Sequence, residues 1–139
     1  MKIKIAKLFW MAVTFFGTPI CYIALIFYPY FFIIMLVVEI FCWGIKFFYH
    51  KERPVPFPRN YFYQKINANS FPSIHTARAS VLATCAILLY PSFMLMVSGT
   101  IFVWLVGYSR IFLKKHYLVD VICGAFLGFG MTLLIFYFR

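Results

Sequence analysis

Residues 93–138 read FMLMVSGTIFVWLVGYSRIFLKKHYLVDVICGAFLGFGMTLLIFYF. Two apolar runs, Phe93–Leu113 and Leu118–Phe138, stand on either side of a short basic segment. Each run has roughly 20 residues, enough to cross the hydrocarbon core of a bilayer as a helix. The stretch therefore predicts two antiparallel membrane helices joined by a tight polar turn. Around that turn, Ser109 to Asp120 gathers Arg110, Lys114, Lys115, His116 and Asp120. On a helix, residues four apart share a face, so His116 and Asp120 are expected to touch. A carboxylate beside an imidazole fixes its tautomer and makes it a better base or nucleophile. Arg110 adds a planar cationic fork suited to phosphate oxygens.

The rest of the chain repeats the apolar pattern. Of its 139 residues 65% are hydrophobic and 12% charged, with a mean hydropathy of +0.92. Such a chain has too little polar surface to be covered by water, which excludes a soluble globule. Working backwards, the runs are Pro72–Tyr90, Tyr30–Phe48 and Leu8–Tyr28, with a polar, proline-rich stretch at Tyr49–Phe71. Pro54, Pro56 and Pro58 oppose a helix in that stretch. The expected fold is all-α: one domain over residues 1–139, an integral membrane bundle of five transmembrane helices. Lys2, Lys4 and Lys7 before the first run imitate a signal peptide, but no small-residue cleavage site follows, which favours a retained helix.

The net charge is +10, and the cations cluster at the ends of the apolar runs. Phosphate head groups at the membrane surface are their natural partner, and no soluble basic domain exists to hold nucleic acid. Cys21, Cys42, Cys85 and Cys123 fall in four different runs without metal or CxxC spacing, so they read as packing residues. An alternating path through five helices brings Lys46, Pro72–His75, Ser109, Arg110 and His116 to one membrane face.

On that face the motifs are Lys46, six residues and Arg53-Pro54; then Pro72-Ser73-Ile74-His75; then Ser109-Arg110, five residues, His116, three residues and Asp120. This order and spacing, covering about residues 46–128, resembles the type 2 phosphatidic acid phosphatase superfamily. One position departs, Ile74 standing where the family usually has glycine, and five crossings are counted where six are common. Proline suits a first helical turn and free amides there point at an anion, so Pro72 to His75 reads as a phosphate cradle, with the Ser73 hydroxyl as a further donor. The Ile74 amide remains available, while its β-branched side chain is expected to reshape the pocket. Lys46, Arg53 and Arg110 would neutralise phosphoryl charge. The resemblance implies that His116 is a nucleophile forming a phosphohistidine, that Asp120 orients it, and that His75 is the general acid. Asp120 could instead only cap a helix start. The implied mechanism needs no metal and no cofactor.

Several residues carry two readings. Arg78 could pair with Glu39 or contact a second phosphate, and the string from Ser70 to Ala79 looks like the presqualene and polyisoprenoid diphosphate branch of the superfamily. His50, Lys51, Glu52, Lys114 and Lys115 are expected to form a solvated basic rim. Gly124 and Gly128 form a small-xxx-small pair for close helix packing. Tyr61, Phe62 and Tyr63 could guide an acyl or prenyl tail.

The function expected is a multi-pass lipid phosphatase of the cell (inner) membrane. Candidate substrates are polyisoprenyl diphosphate, phosphatidylglycerol phosphate, phosphatidic acid and lipid A 1-phosphate, with a lean towards a diphosphate. A phosphotransferase using the same intermediate and a non-catalytic lipid-phosphate binder are the alternatives. The partner is a membrane lipid phosphate, with no nucleic acid, and a monomer would suffice. Charge bias points the site to the cytoplasm, but the chemistry itself demands several of those cations and related enzymes often face outward.

Overall fold

The computed structural model describes residues 4–14 and 28–138, and all its regular structure is helical. Helix α1 covers residues 4–14, α2 Pro29–Phe48, α3 Phe62–Asn67, α4 Ile74–Leu89, α5 Phe93–Phe112 and α6 Leu118–Tyr137. The last three run boundaries and that of the second run fall within two residues of these helix ends. Most of the first expected crossing, residues 15–27, lies outside the described residues, as do Lys2, Cys21 and Arg139.

By length and composition α2, α5 and α6 can each cross a membrane, whereas α4 is a shorter apolar helix of 16 residues. At 1.5 Å per residue α4 is about 24 Å long, shorter than the roughly 30 Å hydrocarbon core. It is nonetheless the hub, packing on α2, α5 and α6. Phe31, Ile34, Met35, Val38 and Cys42 of α2 close a core against Ile74, Ala77, Val81 and Cys85 of α4. The outward faces stay apolar, with Phe93, Phe126 and Phe138 each at least 70% exposed, as expected where the solvent is lipid. The chain folds as an α-helical membrane bundle.

Helix α6 lies against α4 at backbone distance. A methyl group on Gly124 would sit 2.5 Å from the Ser73 carbonyl oxygen, and one on Gly128 would strike the Ala77 carbonyl. Only glycine permits that approach. The small-xxx-small pair is thus internal packing, as its spacing suggested. The contact is pinned by the Ser80 hydroxyl, which donates to the Ala125 carbonyl at 2.8 Å. Helix α1 packs on α5, with Trp10 edge-on to Tyr108 at 5.0 Å and the Thr14 and Ser109 hydroxyls 2.8 Å apart.

Two features differ from expectation. The proline-rich stretch holds the short helix α3, because the prolines end at Pro58 and the Gln64 side chain then accepts from the Tyr61 amide to cap it. Helix α4 begins at Ile74 with Ser73 as its N-cap, so Pro72 precedes the helix instead of occupying its first turn. Between α5 and α6 the chain reverses in a Schellman turn. The Lys115 amide donates to the Arg110 carbonyl at 3.0 Å and the Lys114 amide to Ile111 at 2.8 Å, with Lys114 at φ 53°.

Alanine at Gly124 or Gly128 is expected to cost about 1–3 kcal/mol by forcing α6 off α4. Alanine at Gly44 or Gly130, where nothing lies within 4 Å, should be neutral. Thermal unfolding of the detergent-solubilised variants checks this.

Candidate active site

The site forms where α2 ends, α4 starts, α5 ends and α6 starts. His116 lies just before α6, outside the helix, and only 3% of it is exposed. The i,i+4 helical face is therefore not what brings it to Asp120. Its Nδ1 donates to the Ser70 carbonyl at 2.7 Å, because a carbonyl can only accept. The proton is thereby fixed on Nδ1 and the lone pair on Nε2. Asp120 Oδ2 stands 3.8 Å from Nδ1, too far for a hydrogen bond but close enough to act by charge.

Asp120 is fully buried and busy elsewhere. Its Oδ2 accepts from the Tyr117 amide at 2.9 Å, capping α6, and its Oδ1 takes Lys51 Nζ at 2.6 Å. The helix-capping reading of Asp120 thus holds together with its place beside His116. Lys51 is not a solvated rim residue: besides Asp120, it lies 4.9 Å from the Tyr117 ring centre and 5.9 Å from that of Phe71. His50, Glu52, Lys114 and Lys115 are exposed, as a rim requires.

The anion cradle differs in detail from its sequence reading. The Ser73 amide is occupied, donating to the Asp120 carbonyl at 3.0 Å, and the Ser73 hydroxyl pairs with Thr76 Oγ1 at 2.9 Å. Ser73 therefore builds the helix start more than it offers donors. Among the described residues, the first-turn amides of Ile74, His75 and Thr76 make no hydrogen bond. The Ile74 side chain turns into the α2–α4 core and is 6% exposed. It leaves the amide in place without projecting into the pocket, which is how a β-branched residue is accommodated where the family usually has glycine.

Three cations from the motifs converge. Lys46 is 1% exposed and donates to the Asn69 carbonyl, while Asn69 Nδ2 returns a bond to the Lys46 carbonyl at 2.7 Å. Arg53 donates through Nη2 to the Asn67 carbonyl and stacks on Phe57, its guanidinium carbon 4.9 Å from the ring centre. Arg110 is 3% exposed, and its guanidinium Nε has no hydrogen-bond partner among the described residues. Arg53 Nε, Arg110 Nε and Ser70 Oγ are buried polar atoms with none among the described residues. Orphaned buried polar groups are rare, and here they cluster where a multi-oxygen anion would satisfy them. His75 is half-buried and lies within Coulombic reach of His116, Arg110, Arg78 and Lys115.

Arg78 is not part of this cluster. It holds Glu39 of α2 by a two-point ion pair, Nε to Oε2 at 3.1 Å and Nη2 to Oε1, which ties α2 to α4 inside the bundle. Of the two readings of Arg78, the pair with Glu39 is the one present in the structure. Sequence reasoning missed Ser70, Asn67, Asn69 and the inward role of Lys51. All four act partly through backbone carbonyls, which leave no side-chain signature.

Residues 24–139 match the sequence profile of the PAP2 superfamily. The chain belongs to this superfamily. Among solved structures its fold is similar to that of Aquifex aeolicus LpxE, with a TM-score of 0.74, 20% identity, and 96% of this chain and 86% of that one covered. The family makes the protein a membrane lipid phosphatase.

Burial is the largest influence on His116 and pushes its pKa down to about 4; nearby Asp120 opposes the shift, and Arg110, Lys46 and Arg53 reinforce it. Lys115, exposed at the rim but partly desolvated by its neighbours, is lowered too, helped by Arg110, Arg53 and Lys7. His116 is thus neutral at physiological pH, with its Nε2 lone pair free. In the unfolded chain it titrates near 6.5, so below that pH folding must remove a proton. Its effect on stability is absent above pH 6.5 and grows to a loss of about 3 kcal/mol as pH falls to about 4. Denaturation midpoints across that window should show the loss in the wild type and a flatter profile in His116→Asn.

Proposed function

We propose that the protein removes a terminal phosphate from a membrane lipid through a phosphohistidine on His116 Nε2. The observation that carries this reading is the Nδ1–Ser70 bond, which leaves Nε2 as a neutral nucleophile among buried donors that lack partners. Arg110, Arg53, Lys46 and the amides of Ile74, His75 and Thr76 would hold the phosphoryl oxygens and offset their charge. Nε2 attacks phosphorus in line, the P–N bond forms, and the bond to the lipid oxygen breaks as His75, which takes up a proton once the phosphate anion offsets the surrounding cations, gives that oxygen its proton. The imidazole ring now carries positive charge, which Asp120 at 3.8 Å stabilises. Neutral His75 then takes a proton from water, the resulting hydroxide attacks phosphorus, the P–N bond breaks, and His116 returns with inorganic phosphate released.

A groove of about 560 Å³ between α4, α5 and α6 supports a lipid substrate. It begins at Thr76, next to His75, and continues past Ala83, Ile87, Met96 and Trp104, with a predominantly apolar lining. We assign it to one hydrocarbon chain of the substrate, which would enter from the bilayer while the phosphate reaches the polar end. With Arg78 committed to Glu39, the case for a diphosphate over a phosphomonoester loses its main support. The protein would be a multi-pass component of the cell membrane.

His116→Ala should abolish phosphate release from lipid phosphates, and EDTA should leave the wild-type rate unchanged. With an aryl phosphate, whose leaving group needs little protonation, His75→Ala should accumulate an acid-labile phosphoprotein that His116→Ala never forms. Equal phosphate release by His116→Ala and wild type would overturn the assignment, and loss of activity in EDTA would overturn the metal-free route.

Thr100 lines the same groove and is exposed to it. Thr100→Phe should raise KM for long-chain lipid phosphates several-fold and leave a water-soluble short-chain substrate unaffected. Steady-state kinetics on a chain-length series reads this out.

A further inference from the structure

Lys51 lies between Lys46 and Arg53, the first two cations of the phosphate-binding motifs, but belongs to neither motif position. We propose that it is a positioning residue for the reaction, holding both groups that face the Nδ1 edge of His116. The first route is through its side chain. Lys51 Nζ binds Asp120 Oδ1 at 2.6 Å while the Tyr117 amide holds Oδ2 at 2.9 Å. Held at both oxygens, the carboxylate stays 3.8 Å from Nδ1 and does not displace Ser70 from the ring. The second route is through the backbone. The Lys51 carbonyl accepts from the Ser70 amide at 2.7 Å, and the carbonyl of that same Ser70 accepts the Nδ1 proton. One residue therefore sets the position of the neutral acceptor and of the charged neighbour.

The ammonium is itself confined. The rings of Tyr117 and Phe71 lie 4.9 and 5.9 Å away, within cation–π range, and 29% of the side chain is exposed. A lysine serving only to attract head groups would gain nothing from such a box.

The electrostatic consequence follows from what surrounds the imidazole. Facing His116 are Asp120 from α6, Arg110 from α5, Lys46 from α2, Arg53 from the α2–α3 connection and His75 from α4. Asp120 alone among them is an acid, and Lys51 is its direct counter-ion. Removing the Lys51 charge leaves the carboxylate acting undivided on the ring. That favours the protonated imidazole, which has no lone pair on Nε2 and cannot attack.

This inference rests on the nucleophilic role proposed for His116, and its test separates the two. Wild type, Lys51→Met and Lys51→Arg are compared in detergent by 13Cε1-histidine NMR titration, with His116→Gln identifying the His116 resonance. The same proteins are assayed for kcat and KM on a short-chain lipid phosphate across pH. Lys51→Met should raise the His116 midpoint, and with it the acid limb of kcat/KM, by about one pH unit. Its kcat should fall at least about tenfold with KM changed less than about twofold. Lys51→Arg, which keeps the charge, should recover most of the rate and the wild-type midpoint. An unmoved His116 midpoint and acid limb in folded Lys51→Met would overturn the proposal, as would equal losses in Met and Arg variants that track only a lower Tm. If Lys51→Met does not fold, Lys51→Gln, which keeps a donor to Oδ1 without the charge, must give the same shift. A moved midpoint in a protein without phosphatase activity would leave the positioning role standing and refute the catalytic reading.

Discussion

The amide of Ser73 donates to the carbonyl of Asp120 at 3.0 Å, and the arrangement of the site depends on that one bond between helix starts. It needs two backbones at contact distance, which is why α6 presents Gly124 and Gly128 to α4 at Ser73 and Ala77. Once the two starts are joined, Asp120 caps its own helix through Tyr117 and stands beside His116, while the first-turn amides of Ile74, His75 and Thr76 make no hydrogen bond among the described residues. Packing and chemistry are thus set by the same few atoms. A displacement of α6 would move His116 and the start of α4 apart.

Around this lock the charges are arranged at evident cost. Lys46, Arg53 and Arg110 are drawn out of water with only neutral acceptors or, at the Nε of each arginine, no hydrogen-bond partner among the described residues, and Asp120 is already shared with Lys51. Buried cations repel one another and lose hydration, so such a cluster is unfavourable until an anion enters. Burial, reinforced by that same excess, lowers the His116 pKa, so the groups proposed to bind phosphate would also keep the proposed nucleophile in its reactive form. The Arg78–Glu39 pair shows the contrast: its charges are matched within the bundle, and it works as a strut between α2 and α4.

The bilayer completes the design. The aromatic and aliphatic side chains left exposed on α2, α5 and α6 would be a liability in water and are ordinary in lipid. Close approach of α4 and α6 and of α4 and α5 leaves an apolar groove open along the membrane, ending one residue from His75. A lipid can then meet a polar site at the interface without leaving the hydrocarbon.

The sequence by itself determined the helices and most of the chemistry-bearing residues. Apolar runs end where polar residues begin, and His116, His75, Asp120, Lys46 and Arg110 stand at or beside those ends, with Arg53 in the polar stretch that follows α2, because hydrocarbon tolerates neither unpaired backbone nor free charge. Short helix α3 escaped notice, since six residues carry too little periodicity to outweigh three nearby prolines. Only the tertiary structure decided which atoms meet. That His116 leans on the Ser70 carbonyl and not on Asp120 has no trace in residue types, because every residue carries a carbonyl. Whether Lys51 turns outward or inward, and whether Arg78 takes Glu39 or a ligand, depends on long side chains finding partners far along the chain. Spacing along one helix cannot express such contacts. They exist only once the helices are packed together.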